Sequence, residues 1–247
     1  MFRLVMEDAK NMKNIVDAVV NIIDEGPVEI NEEGLFLRAI DPSQIAMISL
    51  KIPKLAFTEY TVESPSVIGV NFSQLSKIMN RAKTGEKFVM SSDGSTLIVE
   101  FLGAHKHRTF KIPLIETHEL IRKELSIEPE AIVSVEAGEL KESLKDVGLI
   151  STYLTFVVDK NGFVIDVKGD TGNLQIEMPG DSLSKFEVKN KARASFSLQY
   201  MESIVKACPD HQNLTLYIKT DMPLKVEYNI DDAEIVYFLA PRKEEYE

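Results

Sequence analysis

The sequence predicts an α+β protein made of two similar domains, each combining antiparallel sheets with two helices. Three observations lead to this prediction. Four segments carry apolar residues at the spacing of an amphipathic helix, short alternating segments typical of antiparallel strands follow each of them, and one charged stretch interrupts the pattern near the middle. The helical segments begin near Asp8, Phe72, Glu139 and Leu198, at intervals of roughly 60–66 residues, so the pattern occurs four times.

The first half of the chain contains two strand–helix units. Asp8 is the expected N-cap of the first helix, and Gly26-Pro27 is its expected stop. Alternation between turn-forming stretches predicts strands at 28–30, 35–39 and 45–52. The second unit is predicted to comprise a strand at 67–70, a helix at 72–82, and strands at 87–91, 96–102 and 108–113.

The second half repeats this arrangement. The third unit is predicted to comprise a strand at 132–136, a helix at 139–149, and strands at 154–159, 163–168 and 173–178. The fourth is predicted to comprise a strand at 192–197, a helix from Leu198, and strands at 214–219, 224–230 and 235–239. Between the halves, residues 117–131 are charged, weakly periodic and contain Pro129, which is typical of a connector. The expected organisation is a domain at 1–116, a connector at 117–131 and a domain at 132–247.

Composition restricts the class of protein. Hydrophobic residues make up 44% and charged residues 27%, as in soluble globular proteins, and no apolar run approaches the roughly 20 residues that span a bilayer. The single cysteine cannot form an internal disulfide, and the N-terminus turns acidic too early for a signal peptide, so we expect a cytoplasmic protein with no membrane partner. The net charge of −11 argues against binding nucleic acid over the whole surface, because phosphate contacts need lysine and arginine. A nucleic-acid role therefore requires a local basic patch.

Residue patterns of familiar catalytic and cofactor sites are missing from the sequence. It has no glycine-rich phosphate loop, no dinucleotide fingerprint and no Gly-x-Ser-x-Gly nucleophile elbow. His105 and His107 have the spacing of two metal ligands on a strand, but no acid or cysteine cluster accompanies them, so an exposed strand end is the preferred interpretation. Cys208 has no histidine partner and is interpreted as a buried thiol. We therefore expect a protein that is not an enzyme and binds neither metal nor cofactor.

A basic stripe lies opposite the apolar stripe of each predicted helix. Solvated helix faces often carry lysine, so for a single helix an ordinary surface is the better interpretation. Four such helices related by the repeat would form one basic surface, which would hold phosphates without reading bases. The candidate DNA-facing residues are Lys10, Lys13, Asn14, Lys77, Arg81, Lys83, Lys141, Lys145 and Lys206.

Four stretches of the chain resemble the proliferating cell nuclear antigen (PCNA) family, the trimeric sliding clamps of archaea and eukaryotes. They are LRAIDPSQI at 37–45, GVNFSQLSKI at 69–78, MPLKVEY at 222–228 and YFLAPR at 237–242. The resemblance rests on all four stretches, in order and at the family's spacing, and it runs along the whole chain.

This resemblance implies a fold and a function. Each chain would form two similar domains of the DNA clamp fold, and three chains would close into a six-domain ring with sheets outside and helices lining the hole. Such a homotrimer would encircle double-stranded DNA without sequence specificity and act as a DNA polymerase processivity factor in replication and repair, cytoplasmic and associated with the nucleoid. The implied subunit interface joins Thr109, Phe110, Lys111 and Ile112 of one subunit to Leu174, Gln175, Ile176, Glu177 and Met178 of the next.

The same resemblance implies a site for short peptide motifs of DNA polymerase, the clamp loader, flap endonuclease and DNA ligase. Its residues would be Ile40, Gln44, Ile45, Met47, Leu125, Ile127, Pro129, Pro223, Phe238, Ala240, Pro241 and Arg242. The sequence departs from the family at Gln44, where many relatives have histidine or arginine, and at Glu128 in the connector. It also departs at Val20, Gln199 and Glu202 on the helices.

Other functions remain compatible with the residues. The chain is alternatively one subunit of a heterotrimeric clamp, which two further paralogues in the host genome would indicate. A monomeric polymerase accessory factor would have a strongly basic open face and no self-association, and the net charge of −11 disfavours it. A hydrolase with an unfamiliar site is the last alternative, and no residue pattern supports it.

Overall fold

The structure is a computed structural model that describes residues 1–117, 125–170 and 172–242. Contacts between residues divide the chain into two compact units. The first comprises Met1–Pro42, Ile48–Lys123 and Asn229–Ile235, and the second comprises Ser43–Met47, Glu124–Tyr228 and Val236–Glu247. Both combine antiparallel sheets with helices, so the α+β class predicted from the sequence is confirmed. Within the described residues, no helix is long and apolar enough to cross a membrane.

The N-terminal half contains two helices, and its strands belong to two sheets. In chain order they are β1 (Phe2–Met6), α1 (Ala9–Val20), β2 (Glu25–Ile30), β3 (Gly34–Ile40), β4 (Ala46–Pro53), β5 (Glu59–Val62), β6 (Ser66–Asn71), α2 (Phe72–Met79), β7 (Lys87–Ser92), β8 (Thr96–Leu102) and β9 (His107–Pro113). One sheet has the strand order β5-β1-β7-β8-β9, and β4-β3-β2-β6 are consecutive strands of another sheet. A short 3-10 turn, Lys54–Ala56, precedes β5.

The C-terminal half repeats this order. Its elements are β10 (Ala131–Glu136), α3 (Ala137–Gly148), β11 (Tyr153–Asp159), β12 (Gly162–Gly169), β13 (Gly172–Pro179), β14 (Lys185–Val188), β15 (Ala192–Ser197), α4 (Leu198–Lys206), β16 (Asn213–Ile218), β17 (Leu224–Ile230) and β18 (Ala233–Leu239). The strand orders are β14-β10-β16-β17-β18 and β13-β12-β11-β15, and a 3-10 turn, Gly180–Ser182, precedes β14. Each element from β1 to β9 therefore has a counterpart between β10 and β18, which makes the second half a structural repeat of the first.

Capping residues and buried apolar stripes explain the helices. Asp8 accepts a hydrogen bond from the Lys10 backbone N–H at 2.8 Å, and Asn71 accepts one from the Gln74 backbone N–H at 2.7 Å, so α1 and α2 each have a side-chain N-cap. Helix α1 packs against α2, and α3 packs against α4. The buried apolar residues of α1 and α2 are Ala9, Met12, Ile15, Val16, Ala18, Val19, Phe72, Leu75 and Met79.

Three phenylalanines form the core beneath the sheet β13-β12-β11-β15. Phe156, Phe163 and Phe196 are fully buried, with ring centroids 5.0 Å apart for the first pair and 5.7 Å apart for Phe156 and Phe196. Burying each ring contributes roughly 1.5–3 kcal/mol to folding. Because side chains alternate along a strand, this packing fixes which residues of β11, β12 and β15 lie on the opposite face.

The structure corrects two parts of the sequence prediction. Gly26 and Pro27 do not stop α1, which ends at Val20 with Asn21 as its C-cap; both lie in β2. The missing N–H of Pro27 is tolerated because the pairing of β2 with β3 begins only at Val28. Strands β1, β5 and β14 were not predicted from the sequence.

Candidate functional site

The cations of the N-terminal half lie on α1, on α2 and in the turn that follows α2. Lys77 lies on α2, and Arg81 and Lys83 lie in the turn after it. Lys10, Lys77, Arg81 and Lys83 are exposed, and their side chains form no ion pair within the described part of the chain. Their charge is therefore available to an external anion.

A partly buried ion pair holds the turn that carries two of these cations. Arg108 on β9 forms an ion pair with Glu86, and both side chains are largely buried, with 15% and 8% of their surface exposed. The same guanidinium donates to the main-chain oxygen of Arg81 at 2.9 Å, and Glu86 accepts from the Lys83 backbone N–H at 2.8 Å. The positions of Arg81 and Lys83 are thus fixed by their main chain, while their side chains stay exposed.

Two other predicted cations are compensated by neighbouring carboxylates on their own helix. The Nζ atom of Lys13 lies 2.5 Å from Oδ2 of Asp17, and that of Lys145 lies 2.6 Å from Oε1 of Glu142. The hydrogen bond to Glu142 raises the pKa of Lys145 above its usual value, which is the expected effect of a partner that favours the charged amine. Pairs of this kind weaken the attraction of the helix for phosphate.

Lys141 is also engaged inside its own half. Its Nζ atom donates to the main-chain oxygen of Cys208 at 2.5 Å and to Oδ1 of Asp210 at 2.6 Å. The hydrogen bond from Lys141 lowers the pKa of the Asp210 carboxyl, which stays charged. Lys141 therefore connects α3 to the segment after α4. This role was not predicted, because the sequence pattern indicates only the position of Lys141 on its helix.

The exposed charges on the helices of the two halves differ in their prevailing sign. In the C-terminal half the exposed charged residues of α3 and α4 are Glu139, Glu142, Lys145, Asp146, Glu202 and Lys206. Acids outnumber lysines on these helices, whereas α1, α2 and the following turn carry an excess of cations. The predicted DNA-facing set is thus strongly basic only in the N-terminal half, a difference visible in the sequence once the acids are counted with the lysines.

The residues expected at the subunit interface lie on β9 and β13, each of which ends its sheet. Neither strand has a second partner strand among residues 1–117, 125–170 and 172–242. On β9, Ile112 is buried, Phe110 is half-buried, and Thr109 and Lys111 are exposed. On β13, Leu174, Ile176 and Met178 are half-buried, and Gln175 and Glu177 are exposed. A sheet edge with half-buried apolar side chains is suited to pairing with another strand.

The residues expected at the peptide site include several exposed apolar side chains. Ile40, Ile45 and Leu125 expose 44%, 36% and 45% of their surface, whereas Met47 and Phe238 are buried. Ile127, Pro129, Pro223, Ala240 and Pro241 are half-buried, and Gln44 and Arg242 are exposed.

Main-chain hydrogen bonds hold part of this set in place. The Ala240 N–H donates to the main-chain oxygen of Ile45 at 2.8 Å, and the Arg242 N–H donates to that of Ser195 at 2.7 Å. Met222, which precedes Pro223, exposes 43% of its surface and was not among the residues predicted for this site.

The groups with catalytic or metal-binding potential are occupied by structural contacts. Cys208 is buried, which raises the pKa of its thiol to about 12. His107 Nε2 lies 2.8 Å from Oε1 of Glu100 on the neighbouring strand. Within the described ranges no group of three or more histidine, cysteine, aspartate or glutamate side chains has the geometry of a metal site.

Comparisons with known proteins cover the whole chain. Residues 1–119 match the profile described as "Proliferating cell nuclear antigen, N-terminal domain", and residues 125–243 match "Proliferating cell nuclear antigen, C-terminal domain". Proteins named "DNA polymerase sliding clamp" from Thermococcus gammatolerans and "DNA polymerase sliding clamp 1" from Thermococcus kodakarensis are both 34% identical, and each alignment covers 99% of both chains.

Solved structures agree with these sequence matches. The crystal structure of PCNA from Thermococcus kodakaraensis is similar with a TM-score of 0.93 at 26% identity, and the alignment covers 98% of this chain and 100% of that one. A structure titled "C-terminal region of FEN-1 bound to A. fulgidus PCNA" gives a TM-score of 0.91 at 29% identity, with both chains fully covered. Since both domain profiles match in order and relatives above 30% identity align end to end, this chain belongs to the proliferating cell nuclear antigen family.

Proposed function

We propose that this chain is a DNA polymerase processivity factor: a ring-shaped sliding clamp that encircles duplex DNA and tethers replication and repair enzymes to it. The observation that carries the proposal is the match over 99% of both chains to proteins named DNA polymerase sliding clamp. The repeated fold supports it, because a chain with two equivalent halves can contribute two equivalent segments of a ring. The clamp itself catalyses no reaction, so it acts through topology and through the enzymes it holds.

The proposed hold on DNA is mechanical, with weak electrostatic support. A closed ring stays on the duplex without tight contacts, and exposed lysines and arginines that meet phosphates without reading bases permit sliding. Lys10, Lys77, Arg81 and Lys83 are the side chains best suited to this role, because they are exposed and form no ion pair among the described residues. A tethered polymerase then remains near the primer end at a high effective concentration.

Ring closure is proposed to occur by pairing of β9 in one subunit with β13 in the next. Both strands end their sheets, and both carry half-buried apolar side chains on the face that packs on the core. Pairing would extend each sheet across the subunit boundary and cover Phe110, Leu174 and Ile176. A head-to-tail contact of this type generates a closed ring when the rotation between subunits closes, which for this family means three subunits.

Partner enzymes are proposed to bind through short peptide segments at the exposed apolar residues Ile40, Ile45 and Leu125. Such side chains, exposed at the surface of a soluble protein, favour an apolar ligand. The solved complex between the C-terminal region of FEN-1 and A. fulgidus PCNA supports this mode of binding. Domains at 1–116 and 132–247 with a connector at 117–131, and a location in the cytoplasm at the nucleoid, are part of the same proposal.

Retention on circular DNA tests encirclement directly. The clamp would be loaded by its ATP-dependent loader onto a nicked plasmid, washed in high salt, and then challenged by cutting the plasmid once. A ring is retained on the circle and lost when the DNA becomes linear, whereas a monomeric accessory factor held by charge is removed by salt from both forms. Light scattering gives the mass in parallel: three chains support a homotrimer, and a monomer that closes only with paralogues supports a heterotrimeric clamp.

A further inference from the structure

A polar cavity of about 150 Å³ lies on the outer face of the sheet β13-β12-β11-β15. It is lined by Ser151, Tyr153, Thr155, Asp166, Lys168, Arg193, Ser195 and Arg242. All of these residues belong to one compact unit, and none carries a role in the proposed function except Arg242. The cavity faces away from the phenylalanine core described above, because Thr155 and Phe156 are adjacent on one strand.

Strand register builds the floor of this cavity. Thr155 on β11 is paired with Asp166 on β12 and with Ser195 on β15, so these three side chains form one row across the sheet. The hydroxyl groups of Thr155 and Ser195 are buried and lie 2.8 Å apart. Buried hydroxyl groups at the base of an open cavity are suited to bind a polar ligand rather than an apolar one.

The end of the chain forms one wall. Arg242 bridges to Ser195 through its main chain, and its guanidinium carbon lies 3.8 Å from the ring centre of Tyr153. This stacking holds the long arginine side chain at the cavity. Arg242 follows directly after Ala240 and Pro241, which are proposed peptide-binding residues, so the cavity adjoins the peptide site along the chain.

The charge of the cavity is opposite to that of the protein. Two cations, Lys168 and Arg242, line it together with one carboxylate, Asp166, and with Arg193, which has a further partner within the protein; the whole chain has a net charge of −11. A concave site with an excess of one charge focuses its potential on a ligand of the other sign. The guanidinium of Arg242 favours an oxyanion in particular, because it can donate paired hydrogen bonds to carboxylate or phosphate.

We propose that this cavity binds the carboxylate of an aspartate or glutamate in a partner segment docked at the neighbouring peptide site. The inference rests on the proposed peptide site, since that site supplies the ligand at high local concentration. The cavity thereby selects among partner enzymes: a segment with an acidic residue at the matching position binds more tightly than one with a neutral residue there. A phosphate group has the same oxyanion chemistry and is the alternative source.

The test uses the full chain and labelled peptides from the C-terminal region of FEN-1. In a series of peptides, each residue flanking the docked segment is replaced in turn by glutamate or by glutamine, and fluorescence anisotropy gives each Kd at about 0.1 M salt, where contacts over more than about 10 Å are screened. We expect at least one position at which the glutamate peptide binds about tenfold more tightly than its glutamine partner, the size of one charge-assisted hydrogen bond.

Variants locate the effect. Lys168→Gln should remove the preference for glutamate and leave the glutamine peptide unchanged. Lys160→Gln is the matched control, because Lys160 is an exposed lysine in the turn between β11 and β12 and does not line the cavity. Circular dichroism and the solution mass confirm that each variant keeps its fold.

The outcomes separate this inference from the proposed function. If wild-type protein binds neither peptide, the peptide site itself is wrong. If it binds glutamate and glutamine peptides equally at every position, or if Lys168→Gln keeps the preference, the cavity does not bind a carboxylate. Ten millimolar inorganic phosphate, compared with chloride at equal ionic strength, should weaken only the glutamate peptide; phosphate binding without any peptide preference would overturn the assignment to an acidic side chain.

Discussion

The guanidinium of Arg108 donates a hydrogen bond to the main-chain oxygen of Arg81, 2.9 Å away, and so links the outermost strand β9 to the turn after α2. Glu86 completes the link, because it pairs with Arg108 and accepts from the Lys83 backbone N–H. One residue thus connects the strand proposed to close the ring with the exposed cations proposed to meet DNA.

Replacing Arg108 with alanine should lower the free energy of unfolding by about 2–4 kcal/mol, because Glu86 would remain buried without its partner. Urea denaturation at a fixed protein concentration measures the change. Lys87→Ala is the control: Lys87 pairs with Glu7, and their side chains are 48% and 65% exposed, so the loss of this pair should cost less than about 1 kcal/mol. Equal effects of the two changes would show that the buried Arg108–Glu86 pair contributes no more to the free energy of unfolding than an exposed ion pair does.

Reversing the charge of Lys77 and Arg81 together should lower polymerase processivity severalfold, since exposed cations support the hold on phosphate. Primer extension on a loaded template measures the product length. The control, Lys185→Glu with Lys189→Glu, changes the net charge equally but alters exposed lysines at the strand β14 and just after it. The same loss in both double variants would mean that the net charge of the protein, and not the position of Lys77 and Arg81, governs processivity.

Reversing Lys145 instead should have a smaller effect than reversing Lys77, because Glu142 already compensates the Lys145 charge. The comparison is made in the same extension assay at two salt concentrations. A variant lacking a genuine phosphate contact should show a shallower dependence on salt than wild type. An equal loss for Lys145→Glu and Lys77→Glu would contradict the division of charge between the two halves.

Ile176→Asp should convert the assembled ring to single chains at micromolar concentration. Ile176 is half-buried on β13, and pairing with β9 would place an aspartate carboxylate in an apolar interface. Light scattering measures the mass. Val67→Asp is the control, since Val67 is an exposed aliphatic residue on β6, which ends another sheet; loss of assembly in that variant as well would point away from β13.

Cys208 should resist thiol reagents in the folded protein at pH 8. With a pKa of about 12, roughly one thiol in ten thousand is ionised at that pH, and the sulfur is buried as well. Colour release from a disulfide reagent measures the reaction, and the full signal of one thiol per chain should appear only in denaturant. Rapid reaction without denaturant would show that α4 and the segment after it open readily.

Local pattern was sufficient to predict the helices and most strands. Helices α2 and α4 begin at Phe72 and Leu198, as predicted, because an apolar stripe starts abruptly after a strand at each site. The glycine at position 69, within one resembling stretch, is explained by a tertiary contact that no local pattern shows. A Cβ atom there would lie 2.3 Å from the main-chain oxygen of Ile115. Pro27 was misinterpreted as a stop because its effect depends on where the neighbouring strand begins to pair.

The environment of the candidate residues was harder to predict than their positions. Lys141 was recognised as a cation on a helix, but its partner Asp210 is 69 residues away, and only the fold brings them together. The outer cavity is assembled from four separated segments, so no local spacing indicates it. The partners of a long side chain become its neighbours only after folding. For that reason the positive charge that α3 offers to a ligand was overestimated from the sequence, since Lys141 pairs with Asp210 and Lys145 with Glu142.

The repetition of β1–β9 in β10–β18 has a consequence for how such a protein diverges. Two halves with the same order of elements need only keep their buried apolar positions and their strand alternation. The solvent-facing residues of each half can therefore change independently. In this chain the exposed charges are mainly cations on the first helix pair and mainly acids on the second, while the PCNA structure from Thermococcus kodakaraensis, at 26% identity, shares the fold at a TM-score of 0.93. The surfaces of the two halves can therefore serve different purposes without a change in the interior of either.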